Sequence, residues 1–193
     1  MTEAVRRSLL FTCGNAELGR LGLRTLLPKQ RLTLCISLSD LEISDVACGT
    51  SHTAVVSSCG SLFTWGSNES QQLGHSSDLS FVPVPRQVDI PEHVVGITCG
   101  YGHTLAVTKD GNVWAWGGDR HGQIGDGRSA TVVNVPVKLK NLPCINRVSA
   151  GASHSLALSK DGEVFGWGSS AAGAVGLPRE GMFTLKSVVL LLT

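Results

Sequence analysis

The sequence predicts an all-β chain: a partial β-propeller of about four blades, built from ~51-residue repeats of short antiparallel strands. Three observations carry that expectation. His52, His103 and His154 recur at a constant step of 51 residues. Glycine makes up 23 of 193 residues, well above its ordinary share of about 7%. Short β-branched and aromatic runs are punctuated by glycine turns rather than joined by helical patterns.

The step of 51 also relates Gly49, Gly100 and Gly151; Gly60, Gly111 and Gly162; Trp65, Trp116 and Trp167; Gly66, Gly117 and Gly168; and Gly74, Gly125 and Gly176. Intervening positions keep their character, with Leu62, Val113 and Val164 aliphatic and Phe63, Trp114 and Phe165 aromatic. A weaker copy opens the chain, where Leu9-Leu10-Phe11-Thr12-Cys13-Gly14-Asn15 echoes Ser61 to Ser67 at a step of 52, with Cys13 in the tryptophan's place. Residues 1–193 thus read as one repeat domain. A partial first blade covers about 1–44, followed by repeats at about 45–95, 96–146 and 147–193, the last incomplete.

Each element has a local reason. Val94 to Cys99 is β-rich, His103 to Thr108 follows, and Lys109-Asp110-Gly111-Asn112 turns the chain into Val113-Trp114-Ala115-Trp116, because Asp-Gly supplies the positive φ of a tight hairpin. Lys160-Asp161-Gly162-Glu163 repeats this turn, while Ser58-Cys59-Gly60-Ser61 keeps the glycine and loses the aspartate. Phe81-Val82-Pro83-Val84-Pro85 and Asn134-Val135-Pro136-Val137 suit edge strands, since proline donates no ladder hydrogen bond. Sheets this small bury both faces only by packing on neighbours around an axis or along a stack.

Composition narrows the function. A formal net charge of +1 argues against a charge-driven nucleic-acid partner. The longest apolar run, Val188 to Leu192 after Ser187, is far shorter than the roughly 18 residues of a membrane span, so no membrane partner is expected. Six cysteines without a C-x-x-C pair or a signal peptide read as reduced thiols of an intracellular protein of the cytoplasm or nucleus. Arg6 and Arg7 hint at mitochondrial import, but Glu3 and a repeat pattern beginning by Leu10 leave little room for a transit peptide.

Candidate chemistry is sparse. Cys48-x-x-x-His52 and Cys99-x-x-x-His103 suggest zinc, but the third copy has Ala150 where the cysteine should be. No metal or cofactor is therefore expected, and the histidines are read as structural, hydrogen-bonding backbone at a strand junction. The tryptophans read as core. Ser51-His52 and Ser153-His154 are strand neighbours that face opposite ways, so no catalytic residue is nominated. From Leu18 to Ser39 the chain carries Arg20, Arg24, Lys29 and Arg31 without an acidic residue, a solvated rim or a contact for an acidic partner.

The runs Cys99-Gly100-Tyr101-Gly102-His103-Thr104-Leu105-Ala106-Val107, Asp110 to Gly117 and Gly122-Gln123-Ile124-Gly125 closely resemble the regulator of chromosome condensation repeat, and Ala150 to His154 with Asp161 to Gly168 does so again. The resemblance implies a propeller that in the family usually has seven blades, of which this chain supplies about 3.8. Light-sensing members of the family use tryptophans that would fall at Thr50, Tyr101 and Ala152, none of which is tryptophan. The resemblance implies a non-catalytic protein-protein interaction or regulatory module. The alternative it implies is guanine-nucleotide exchange on a small Ras-like GTPase such as Ran. The expected partner face comprises Asn68, Glu69, Gln71 and Gln72 with Asp119, Arg120 and His121, loop positions that vary among regular repeats. Self-association through open blade edges is the further expectation.

Overall fold

The computed structural model describes residues 8–128, 130–175 and 186–188. Strands β1 (Phe11–Gly14) and β2 (Lys29–Leu34) form a two-stranded antiparallel sheet. Three four-stranded antiparallel sheets follow, each in chain order: β3 (Ile43–Cys48), β4 (His52–Ser57), β5 (Leu62–Ser67) and β6 (Phe81–Val88); β7 (Val94–Cys99), β8 (His103–Thr108), β9 (Val113–Gly118) and β10 (Val132–Lys138); β11 (Ile145–Ala150), β12 (His154–Ser159), β13 (Val164–Gly168) and β14 (Lys186–Val188). The all-β propeller repeat expected from the sequence is the architecture found. By the repeat step of 52, β1 takes the place of β5, and β2 pairs with it as β6 pairs with β5.

Each turn is built as the sequence dictates. Gly60, Gly111 and Gly162 have φ of 84°, 82° and 87°. The turn that lacks aspartate closes by the same means as the others: the hydroxyls of Ser57, Thr108 and Ser159 accept the N–H groups of Ser61, Asn112 and Glu163 at 3.1, 3.2 and 3.0 Å. The proline-bearing strands β6 and β10 lie at the ends of their sheets, and each pairs with its neighbour across a register shift.

Sheets join through their first strands. The Ile97 N–H of β7 donates to Asp45 Oδ2 of β3 at 3.0 Å, and the Ala150 N–H of β11 donates to Thr98 Oγ1 of β7 at 3.1 Å. Behind these strands one apolar cluster runs from Ala54, Val56 and Leu62 through Leu105, Trp116 and Ile124 to Ala157 and Trp167. A second cluster sets Trp65, Val55 and Phe63 against Leu10, Leu23, Cys35 and Leu38, which flank the strands of the first sheet. All six residues of β4 and of β8 are buried, because those sheets are covered on both faces. This continuous packing gives the loops a rigid base.

Candidate interaction face and the contacts that hold it

One carbonyl per repeat ties each sheet to the next. Trp65 Nε1–H donates to the Arg20 carbonyl at 2.9 Å, Trp116 Nε1–H to that of Gln72 at 2.8 Å, and Trp167 Nε1–H to that of Gln123 at 2.9 Å. The same three carbonyls accept the hydroxyls of Thr53, Thr104 and Ser155 at 3.0, 2.8 and 2.7 Å. Two of these hydroxyls then meet the imidazole of the sheet before: His52 Nε2 lies 2.9 Å from Thr104 Oγ1, and His103 Nε2 lies 3.1 Å from Ser155 Oγ. Each hydroxyl spends its single proton on the carbonyl, so the imidazole is the donor, and the tautomer is Nε2–H. The structure thus corrects the expected role of His52 and His103: they bond a side chain of the next sheet, not backbone.

Glycine makes room for this arrangement. A Cβ on Gly49 would lie 2.5 Å from His52 Cε1 and 2.6 Å from the Gly100 carbonyl, and one on Gly74 would lie 2.8 Å from Trp116 Nε1. The recurring glycines, histidines and tryptophans are parts of one inter-sheet clamp. Gly176 lies outside the described residues.

The Nδ1 atoms of His52 and His103 are buried without a partner. Burial, reinforced by the neighbouring imidazole of the next sheet, holds His52 down to about 3 and His103 down to about 4. A folded-state value below the unfolded one near 6.5 means that unfolding takes up protons. The stability from these neutral imidazoles is full above about pH 6.5 and falls away as the pH drops toward 4 and then 3. Acid titration followed by circular dichroism is expected to show unfolding within that window, with the midpoint displaced downward in His103→Gln. An unchanged midpoint would rule out a contribution from this imidazole.

The loops beyond β5 and β9 split the expected partner face in two. Asn68 is buried; its Nδ2 donates to the carbonyls of Ser77 and Leu79 at 3.1 and 3.0 Å, and its Oδ1 accepts the Leu73 N–H at 3.2 Å. Gln72 is buried, with Oε1 accepting the Ser70 N–H at 2.8 Å, and buried Asp119 Oδ1 accepts the Ile124 N–H at 2.8 Å. Burial raises the Asp119 carboxyl to about 6. Asn68, Gln72 and Asp119 shape the loops instead of meeting a partner, which corrects the expectation for these three. Glu69, Arg120 and His121 are exposed, and Gln71 is half-buried at a φ of 58°.

Sequence reasoning missed Tyr101, which is 65% exposed. Its neighbour Gly102 packs against Ser70, and the Gly102 carbonyl accepts the Gly118 N–H at 2.7 Å. The backbone next to Tyr101 thus adjoins the Glu69 loop and the end of β9 that leads into the Arg120 loop, and Tyr101 itself lines a shallow depression with Thr50, Gly100 and Ala152. The signal was available: tyrosine occurs once in the chain, at a repeat position that otherwise holds Thr50 and Ala152. On the same rim Arg20 reaches the Thr50 carbonyl at 3.3 Å. Of the basic stretch, Arg24 and Arg31 are exposed, whereas Arg20 also pairs with Glu17 at 3.6 Å. Among the described residues no three His, Cys, Asp or Glu side chains converge to hold a metal ion.

The sequence matches the family described as regulator of chromosome condensation (RCC1) repeat at residues 8–56, 59–107 and 110–158. It is 34% identical over 172 residues to the human protein named probable E3 ubiquitin-protein ligase HERC6, covering 87% of this chain and 17% of that one. Human WBSCR16 superposes with a TM-score of 0.86 at 26% identity, over 95% of this chain and 49% of that one. Yeast RCC1 (Prp20), seen in a complex with Kap60, superposes with a TM-score of 0.83 at 25% identity, over 96% and 45%. The chain thus spans less than half the length of each of these relatives.

Proposed function

The chain belongs to the regulator of chromosome condensation repeat family, and from that premise we propose that it is a non-catalytic protein-interaction module of the cytoplasm or nucleus, docking its partner on the loop face of Glu69, Tyr101, Arg120 and His121. The carrying observation is the division of labour in the loops. Buried Asn68, Gln72 and Asp119 fix the backbone, while the side chains left outside are one acid, two bases and an aromatic. A rigid base presenting an exposed aromatic among charges is the composition of a protein-binding hot spot. The six unpaired thiols suit a reducing compartment.

The alternative is nucleotide exchange on a Ras-like GTPase such as Ran, and the likeness to yeast RCC1 favours testing it. Two measurements separate the readings. Wild-type protein is immobilised, a captured protein is identified and purified, and its affinity is measured for wild type, Tyr101→Ser and the pair Glu69→Lys with Arg120→Glu. The expected result is a loss of at least roughly tenfold with unchanged thermal unfolding; undiminished affinity in both variants refutes the face. In parallel, substoichiometric protein is added to Ran loaded with fluorescent GDP. The interaction reading expects no acceleration of release, and acceleration would establish exchange.

A further inference from the structure

We propose that Asp119 works as a protonated acid, a hydrogen-bond donor that fastens the loop presenting Arg120 and His121, so that this loop is held at mildly acidic pH and loosened as the carboxyl ionises. The bearing of this latch on a partner rests on the loop-face reading; the latch itself does not. The observation behind it is a substitution within the chain's own repeat, since Asp119 stands where the preceding sheet has Asn68.

The two loops follow one backbone path. The Asn68 N–H donates to the Ser80 carbonyl at 2.7 Å and the Asp119 N–H to that of Thr131 at 2.8 Å, while the Gln71 and Gly122 N–H groups return to the carbonyls of Asn68 and Asp119 at 2.9 and 3.1 Å. Left-handed φ falls at the same three places: 58°, 73° and 48° at Gln71, Gly74 and Ser76, against 72°, 82° and 75° at Gly122, Gly125 and Gly127. One side-chain oxygen also serves alike, Asn68 Oδ1 accepting the Leu73 N–H at 3.2 Å and Asp119 Oδ1 the Ile124 N–H at 2.8 Å.

The other side-chain atom differs. Asn68 Nδ2 is a donor, and it gives its hydrogens to the carbonyls of Ser77 and Leu79. One repeat on, the residues in those places are Arg128 and Ala130. A carboxylate has nothing to donate to a carbonyl and is repelled by it, whereas a protonated carboxyl donates as the amide does. Asp119 is 4% exposed, so water does little to relieve the mismatch. The shared path with an aspartate in the asparagine's place therefore favours the acid form.

The surrounding charges agree. Burial lifts the Asp119 carboxyl to about 6; the Ile124 N–H opposes the rise, Asp126 adds to it and Arg128 opposes it. Arg128 is already paired with Asp126 at 2.6 Å, and Arg120 and His121 are exposed. Ser70 of the preceding sheet lies against Gly118, with exposed Glu69 beside it in sequence, and from the following sheet Ser155 and Trp167 meet the Gln123 carbonyl. A folded value above the unfolded one near 3.9 means that folding takes up a proton between them. The stability from this group is full below about pH 4 and is lost as the pH rises through 6. His52 and His103 act in the opposite sense, and their effect cancels when variants at position 119 are compared at one pH.

The test uses the full chain without a partner. In uniformly 13C-labelled protein the Asp119 carboxyl carbon, assigned by its loss in Asp119→Asn, is expected to titrate with a midpoint near 6 between pH 4.5 and 8. Urea unfolding is then compared at pH 8 and pH 5. At pH 8 Asp119→Asn, which copies the Asn68 arrangement, is expected to exceed wild type at least roughly tenfold in folding equilibrium constant, and the advantage is expected to shrink at pH 5. The reciprocal Asn68→Asp is expected to lose stability at pH 8 and to regain part of it at pH 5. A carboxyl midpoint near 4, an Asp119→Asn no more stable than wild type at pH 8, or an advantage that does not change with pH would each overturn the proposal. The titration needs no variant to fold beyond its assignment, and none of these readings involves a captured protein, so failure of the latch and failure of the loop face are told apart.

Discussion

Gly117→Ala is expected to cost roughly 3–5 kcal/mol, while Gly14→Ala at the same repeat position costs about 1–2 kcal/mol. Both glycines sit at a φ of 108°, in the left-handed region that an L side chain enters only with strain. That cost is common to the pair. The difference is space: a Cβ on Gly117 would lie 2.5 Å from the Gly102 carbonyl and 2.8 Å from His103 Cα, whereas one on Gly14 meets nothing within 4 Å. Backbone cannot swing aside as a flexible side chain does, so the inner hairpin of β8 and β9 must open. Set against a domain stability of about 5–15 kcal/mol, the Gly117 variant approaches global unfolding. Urea titration of both variants measures it. Equal losses at the two sites would show that strain alone acts and that the crowding at Gly117 relaxes at no cost.

That comparison also marks what the sequence reveals and what it hides. The repeat of Gly49, His52, Trp65, Gly66 and Gly74 exposes the sheet count, the strand order and the turns, because identical local chemistry at a constant step leaves few ways to fold. It does not reveal that the histidine of one sheet serves the next. The hydroxyls of Thr53, Thr104 and Ser155 were visible at the same step, but alternation along a strand says which face a residue takes and not what lies opposite it. The loops show the same limit. Variation among repeats nominated Asn68, Gln72 and Asp119 beside Glu69, Arg120 and His121, although the first three vary little in role: each is buried and holds backbone N–H or C=O groups of its own loop. Polar side chains that shape a loop and polar side chains that meet a partner have the same composition, and only burial separates them. Tyr101 escaped because its repeat position, shared with Thr50 and Ala152, was asked only whether it holds tryptophan, and sequence does not say whether a lone aromatic in a glycine-rich loop is buried or exposed.

The shared carbonyl of Gln72 makes the second large prediction. Trp116→Ala removes a fully buried indole from the seam between two sheets and is expected to cost about 3–5 kcal/mol. Trp116→Phe keeps most of the volume and removes the donor, so it should cost about 1–2 kcal/mol, with the Gln72 carbonyl still held by Thr104. Thr104→Val removes that hydroxyl and strips His52 Nε2–H of its acceptor, a buried unsatisfied donor worth about 1–3 kcal/mol, whereas Thr104→Ser keeps both bonds and should be milder. When Trp116→Phe and Thr104→Val are combined, the carbonyl loses both partners in a buried seam. The double variant should then be less stable than the sum of the two by about 1 kcal/mol. Urea unfolding of the four proteins closes the cycle. Strict additivity would mean that the carbonyl is not the point at which the two sheets are joined, and that the tryptophan contributes only by its volume.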